Sequence, residues 1–155
     1  MDDGIPAGNP AAWDAAVGDM KSTADAYEEA GWEAYALRPG DTTLLEADEE
    51  RAHLDIVLTG PESETVVDLI DEGVQFTEYE VLKAVEEGVV YVVVVMEDPE
   101  SEIVLLYPAM YSVEDAESVV EKAKETGEFV AHLRGLEREP VEFTYEEPEL
   151  FAPED

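Results

Sequence analysis

Two histidines are the side chains of this 155-residue chain best suited to acid–base or metal chemistry. His53 and His132 each lie at the centre of an Ala-His-Leu tripeptide, within a segment that alternates like a strand. Because residues two apart share one face of a strand, His53 is expected on the same face as Asp55. The pattern allows a His–Asp general-base pair, or a two-histidine metal site if the two strands are neighbours.

The same residues have a simpler interpretation, because acidic residues are abundant in this chain. Two half-exposed strand histidines opposite a core face would acquire carboxylate neighbours by chance. We favour this interpretation, keep His53, Asp55 and His132 as catalytic candidates, and predict no cofactor and no metal ligand.

Four arginines form a second group of candidates, because cations are scarce: the chain has 8 Lys plus Arg against 41 Asp plus Glu. Arg134 and Arg138 flank the final predicted turn. Together with Arg38 or Arg51 they could hold a carboxylate or a phosphate, which arginine binds in a bidentate manner. Ion pairing with the abundant acids is the alternative that we favour.

The recognisable catalytic motifs are missing from the sequence. It contains no G-x-x-x-x-G-K-[ST], G-x-G-x-x-G, G-x-S-x-G or H-E-x-x-H pattern. The absence of cysteine excludes thiol catalysis, thiolate zinc sites and iron–sulfur clusters. Carboxylate pairs such as Glu86-Glu87 could serve acid–base or divalent-ion chemistry, but with 41 acids such spacings are inevitable. These features favour a non-enzymatic protein.

The formal net charge of −33 is spread evenly along the chain. Residues 1–50 hold 13 acidic and 2 basic residues, 51–100 hold 13 and 2, and 101–155 hold 15 and 4. On a folded surface the carboxylates would lie about 14 Å apart, whereas the Debye length is about 10 Å at 0.1 M salt and about 3 Å at 1 M. We therefore expect a halophilic protein whose stability depends on salt, with hydrated K⁺ and Na⁺ at its surface.

The charge and the apolar runs also exclude partners. Nucleic acid and anionic lipid surfaces would both repel a chain that has no basic stripe. The longest apolar run, Val89–Met96, is eight residues long, and about 20 are needed to span a bilayer. The N-terminus has no signal-peptide pattern. We expect a cytoplasmic protein that binds neither membrane nor nucleic acid.

Hydrophobic periodicity and turn residues predict three helices and a series of short strands. The first helix begins at Asn9-Pro10 and ends at Gly31, the second covers about 63–72, and the third runs from Ser112 to Gly127. The strands are expected at 32–38, 42–46, 52–58, 76–81, 89–96, 103–111, 129–133 and 141–145, the first two of them as a hairpin around Pro39-Gly40-Asp41.

This order of elements predicts an α+β fold. We expect one domain over residues 1–155, with loosely ordered ends at 1–8 and 148–155. Its mostly antiparallel mixed sheet would have about six to eight strands, with three helices packed on it. The unbroken apolar run Val89–Met96 is typical of a central strand that is covered on both faces.

Three stretches of the sequence resemble a haloarchaeal family of small acidic uncharacterised proteins. They are Asn9-Pro10-Ala11-Ala12-Trp13, Gly31-Trp32 with Arg38-Pro39-Gly40-Asp41, and Glu97-Asp98-Pro99-Glu100-Ser101 before Leu105–Pro108. The resemblance covers nearly the full chain. Because that family has no assigned function, it implies a salt-rich host and nothing about mechanism.

Two functions remain open from the sequence. The first is a non-enzymatic protein-interaction or regulatory module that acts through a protein partner or as a homo-oligomer, using apolar patches and sheet edges. The alternative is a small enzyme or a ligand- or metal-binding protein that uses His53, His132 and nearby Asp or Arg residues. This alternative requires those groups to converge in one pocket.

Overall fold

Each of the three helices is followed by a group of two or three strands, and the predicted α+β class with three helices is confirmed. The structure, a computed structural model, describes residues 10–37, 43–47, 52–134, 141–146 and 151. In chain order the elements are α1 (Pro10–Glu29), β1 (Glu33–Ala36), β2 (Thr43–Ala47), β3 (Ala52–Val57), α2 (Gly60–Asp71), β4 (Glu78–Glu86), β5 (Val89–Asp98), β6 (Ile103–Ser112), α3 (Val113–Thr126), β7 (Phe129–Arg134) and β8 (Val141–Tyr145).

The single sheet that the sequence suggested is wrong, because the strands divide into two sheets of four. The first sheet has the order β1-β6-β5-β4 and the second has the order β2-β3-β7-β8. Each contains one parallel pair, β1 with β6 or β3 with β7, and two antiparallel pairs. The division has a physical reason: β5 and β6 are apolar on both sides, and the second sheet helps to cover one of their faces.

The predicted hairpin between the first two strands is also wrong. β1 pairs in parallel with β6, from Glu33 opposite Ile103 onward, whereas β2 pairs with β3 in the other sheet. Tyr35 and Leu37 pack in the main core while Ala34 packs towards α1. β1 is only partly buried, with Glu33 and Ala36 exposed, and its contacts on the two faces come from Tyr35 and Ala34. The turn residues 38–42 lie outside the described residues.

The central position predicted for Val89–Met96 is confirmed. β5 lies between β4 and β6, and all of its residues from Val89 to Met96 are buried. Val93 and Val95 face α1, whereas Val92 and Val94 face the main core. The main core also contains residues of α2, α3, β3, β7 and β8, so the same cluster joins both sheets.

The helix ends follow the predicted glycine chemistry. α1 ends at Glu29, and Gly31 then adopts a φ of +96°. The Trp32 amide donates to the Tyr27 carbonyl over 3.0 Å, and the two rings pack edge to face with their centroids 5.3 Å apart. This is a Schellman motif with its hydrophobic contact. The predicted N-cap residue Asn9 lies outside the described residues.

The other two helices are capped at both ends. The Ser112 Oγ accepts from the Asp115 amide over 3.1 Å at the start of α3, as predicted, and Gly127 ends that helix with a φ of +86°. α2 begins three residues earlier than predicted, because Thr59 is its N-cap and Pro61 fits into its first turn.

β4 is longer than predicted and forms a tight hairpin with β5. Glu87 and Gly88 connect the strands with φ values of +50° and +82°, which is a type I′ turn. The pairing extends from Glu86 opposite Val89 to Glu78 opposite Glu97. β4 forms one edge of the first sheet. None of the helices in the described ranges is long and apolar enough to cross a bilayer.

Candidate functional site

The second sheet has one face in the core and one face turned away from it. Along β7, Phe129, Ala131 and Leu133 pack in the main core. Because neighbouring strand residues point to opposite faces, His132 lies on the outer face, as does Val130. The structure thus places His132 opposite a core face, as the sequence predicts.

His132 is paired with a carboxylate on the neighbouring strand. Antiparallel pairing sets Glu142 of β8 directly opposite it, and the His132 Nε2 lies 2.9 Å from the Glu142 Oε2. The side chains are 19% and 41% exposed, so the pair is partly withdrawn from water but accessible to solutes. A carboxylate in this position fixes the orientation of the imidazole ring.

The strands of the two histidines are neighbours, which is the condition that a joint site requires. β3 and β7 run in parallel, with Asp55 opposite His132 and His53 opposite Val130. The backbone register therefore places His53, Asp55 and His132 at positions on the outer face of one sheet. For His53 and Asp55 the description extends to the strand backbone only.

The outer face is sheltered near His132. Val130, two positions earlier on that face, is 0% exposed although its side chain points away from the main core. The cover is partial, because Glu142 and Thr144 on the same face are exposed.

The arginine patch stays a prediction. Arg38, Arg51 and Arg138 lie outside the described residues, and Arg134 is described only as the last backbone position of β7. The register of β7 places Arg134 two positions beyond His132, opposite Val57.

Sequence reasoning missed a group of buried tyrosines between the sheets. The hydroxyl oxygens of Tyr107 and Tyr145 lie 2.7 Å apart, and the Tyr145 hydroxyl donates to the Met96 Sδ over 3.0 Å. The Tyr111 hydroxyl donates to the Phe151 carbonyl over 2.8 Å. Burial raises the pKa of all three hydroxyls well above its ordinary value. They are neutral structural groups, and the continuous apolar run of residues 103–111 around Tyr107 and Tyr111 is the signal that could have found them.

A second missed contact joins α1 to the first sheet. The Tyr27 hydroxyl donates to the Glu97 Oε2. Burial raises the Tyr27 pKa, and the hydrogen bond to Glu97 and the charges of Glu97, Glu80 and Glu78 raise it further. The hydroxyl is therefore held in its neutral, donating form. Its role is to join α1 to β5 rather than to act as an acid.

Asp98 is a buried carboxylate in the described part of the chain. Its oxygens accept from the backbone amides of Gln75, Glu100 and Ser101 at 2.9, 3.1 and 3.3 Å. The amide of Gln75, followed by those of Ser101 and Glu100, lowers the Asp98 pKa. Its role is to close the loop between β5 and β6.

Small surface cavities include two that lie among described residues, and His132 lines neither of these two. One of about 130 Å³ lies between α1 and the β4–β5 hairpin, beside Ala16 and Tyr91. The other, of about 300 Å³, lies between β1 and the start of α2, beside Tyr35 and Pro61. Neither brings together the groups that the sequence selected.

The chain belongs to a family of unknown function. A family model described as "Family of unknown function (DUF7529)" matches residues 6–153, which is nearly the whole chain. Comparison with curated proteins and with solved structures gave no match. The family assigns no activity, so a function must be argued from the geometry.

Proposed function

We propose that this protein is a halophilic, cytosolic, non-enzymatic interaction module that self-associates through the open edge of β4. The observation that carries the proposal is the position of this nine-residue strand at the end of the order β1-β6-β5-β4. No strand in the described ranges pairs with its outer side. An open edge of this length is a template for the addition of another strand.

Hairpin geometry determines which backbone groups face outward. A two-residue turn makes Glu86 and Val89 a hydrogen-bonded pair, so the even-numbered residues of β4 bond to β5. The odd-numbered residues, including Val81 and Val85, then direct their N–H and C=O groups to the open edge. Val85 is also an exposed large hydrophobic side chain, at 42% exposure.

A second copy of the chain is the occupant that fits this edge. When two β4 strands pair antiparallel with Val81 on the two-fold axis, Tyr79 opposes Lys83 of the second copy. Glu78 then opposes Ala84 of the second copy, so no carboxylate faces another within this stretch. Opposed aromatic–cation pairs and uncharged pairs stabilise a sheet, whereas like charges destabilise it.

Shifted registers are less favourable. With Lys83 on the axis, two lysines would oppose each other directly, and with Leu82 on the axis Glu78 would oppose Glu86. Charged residues on edge strands commonly suppress uncontrolled pairing. In β4 the charged residues favour the register with Val81 on the axis over the registers with Leu82 or Lys83 on the axis.

The net charge makes the association dependent on salt. Two chains of formal charge −33 repel each other strongly in dilute buffer, and molar salt shortens the Debye length to about 3 Å. The even spread of acidic residues and the resemblance to haloarchaeal proteins support a cytosol with molar salt. The same screening stabilises the fold, so near-UV circular dichroism should be lost as KCl falls from molar to below about 0.2 M.

Val85 provides a test of the β4 edge, because in the register with Val81 on the axis it opposes Thr77 of the second copy at the end of the paired stretch. Proline at this position removes an outward N–H but leaves the bonds between β4 and β5 in place, and proline is tolerated on edge strands. We expect Val85→Pro to lower the dimer mass to the monomer mass in light scattering in molar KCl. Val85→Thr, which keeps the N–H, is the matched control and should stay dimeric. A monomeric wild-type chain, or a Val85→Pro variant as dimeric as Val85→Thr, would refute the proposal.

The enzymatic alternative has less support. His132, Asp55 and His53 share one face of a sheet, but neither described cavity includes His132. General acid–base catalysis needs a site where substrate can be held beside the base. Their arrangement suits the binding of a small ion better than that of a substrate.

A further inference from the structure

The register of three adjacent strands brings imidazole and carboxylate residues into one row. Asp55 of β3 lies opposite His132 of β7, which lies opposite Glu142 of β8. Paired positions in a sheet share a face, and adjacent strands are about 4.8 Å apart. His53 occupies the next row, two positions from Asp55 along β3.

We propose that this row, Asp55–His132–Glu142 with His53 beside it, binds one divalent transition-metal ion of the Zn²⁺ type. Carboxylates alone favour Mg²⁺ or Ca²⁺, whereas imidazole favours Zn²⁺, Ni²⁺ and Cu²⁺. The two histidines therefore set these positions apart from the many all-carboxylate clusters on this acidic chain. Nitrogen and oxygen ligands of this number and kind form four-coordinate Zn²⁺ sites.

The described half of the row has nearly the spacing that an ion needs. The His132 Nε2 and the Glu142 Oε2 are 2.9 Å apart. Two ligand atoms about 2.0–2.2 Å from one tetrahedral Zn²⁺ are separated by about 3.4 Å. A small side-chain rotation would therefore replace the hydrogen bond with an ion bound between the two atoms.

The surroundings favour a specific site over nonspecific binding of ions at the surface. His132 is 19% exposed, and Val130 on the same face is fully buried. Glu142 is exposed, so the half-buried imidazole of His132 is what distinguishes this row from clusters of surface carboxylates. Among the side chains that the structure describes, no three form a metal-binding group. The third and fourth proposed ligands, Asp55 and His53, are therefore argued from the backbone register of β3.

The test is a calorimetric titration of metal-stripped full-length protein with Zn²⁺, in molar KCl with excess Mg²⁺ to saturate surface carboxylates. We expect one Zn²⁺ per chain. His132→Ala, Asp55→Asn and Glu142→Gln should each weaken the affinity by at least about tenfold, as the loss of a ligand or its partner does. Glu117→Gln, which removes an exposed carboxylate on α3, is the matched control and should bind as the wild type does.

A second readout distinguishes histidine ligation from carboxylate binding. Co²⁺ in a four-coordinate site with imidazole ligands absorbs visible light strongly, and this absorption should be present in the wild type and lost in His132→Ala. Glu142→Gln keeps the test valid if His132→Ala fails to fold, because Glu142 is an exposed side chain. Wild-type affinity in Asp55→Asn, an equal loss in Glu117→Gln, or no saturable binding would each overturn the proposal.

Discussion

The hydroxyl oxygens of Tyr107 and Tyr145 lie 2.7 Å apart in the core cluster that joins the two sheets. Tyr107 belongs to β6 of the first sheet and Tyr145 to β8 of the second. Because the Tyr145 hydroxyl donates to the Met96 Sδ, the Tyr107 hydroxyl donates to the Tyr145 oxygen. This chain of hydrogen bonds is a polar contact that connects the two sheets inside an apolar core.

The donor-to-acceptor direction of these hydrogen bonds predicts that two phenylalanine substitutions have unequal effects on stability. Tyr145→Phe would leave the Tyr107 donor buried without an acceptor, which costs about 1–3 kcal/mol. Tyr107→Phe leaves Tyr145 still donating to Met96 and should cost about 0.5–1.5 kcal/mol. The double variant should cost less than the sum of the two. Urea unfolding in molar KCl measures all three, and equal effects that add would contradict this direction.

Alkaline pH should destabilise the fold through the same tyrosines. Burial raises the pKa of Tyr107, Tyr111 and Tyr145 in the folded state, whereas an unfolded tyrosine ionises near pH 10. Their stabilisation is complete below about pH 10 and is lost as pH rises above it, because the unfolded state then binds fewer protons. Tyrosinate absorbance and near-UV dichroism, followed together, should show the buried tyrosines ionising only when the chain unfolds. Ionisation of all tyrosines without loss of dichroism would contradict the burial argument.

Two glycines of the first helix region should respond to alanine in opposite directions. Gly31 has a φ of +96°, a left-handed conformation that costs an alanine about 1–2 kcal/mol. Gly18 lies exposed inside α1, and an added Cβ would meet no atom within 4 Å, so Gly18→Ala should stabilise by about 0.5–1 kcal/mol. Each variant controls for the other in urea unfolding at the same salt concentration. Effects of the same sign would show that the helix end is not as described.

The features that sequence predicted well are those decided within a few residues. Gly31 and Gly127 end their helices because the left-handed residue after a helix is a local requirement. The continuous valines of β5 indicate that both faces of the strand are buried. They do not indicate which elements pack against it. The choice of strand partner is different. The turn residues Pro39-Gly40 suggest a hairpin, but β1 pairs with β6, and Tyr35 and Leu37 contact a core built from residues distant in sequence.

The candidate site shows the same difference between features set by neighbouring residues, which the sequence predicts, and features set by strand pairing, which it does not. Strand periodicity predicts that His53 and His132 lie on strands. It does not predict whether those two strands are adjacent. The structure supplies that adjacency through the parallel pairing of β3 with β7. Glu142 could not have been chosen from the sequence, because 41 acidic residues compete for the same role and only register selects one.

Phe151 was hidden from sequence reasoning for a related reason, and it yields the final prediction. It stands in an acidic, proline-containing segment without periodicity, yet its side chain is fully buried. Its ring lies 4.3 Å from that of Phe129 and 5.3 Å from that of Tyr145, measured between centroids, and its carbonyl accepts from Tyr111. Phe151 therefore belongs to the shared core.

Phe151→Ala should lower the free energy of unfolding by about 3–5 kcal/mol, because it removes a buried aromatic ring and leaves a cavity beside Phe129. Phe151→Leu keeps most of the apolar volume and should cost less than about 1.5 kcal/mol. Both keep the backbone carbonyl that Tyr111 requires, so the difference between them reports ring packing alone. Urea unfolding in molar KCl measures it, and an alanine variant as stable as the leucine variant would mean that the ring does not contribute to the core.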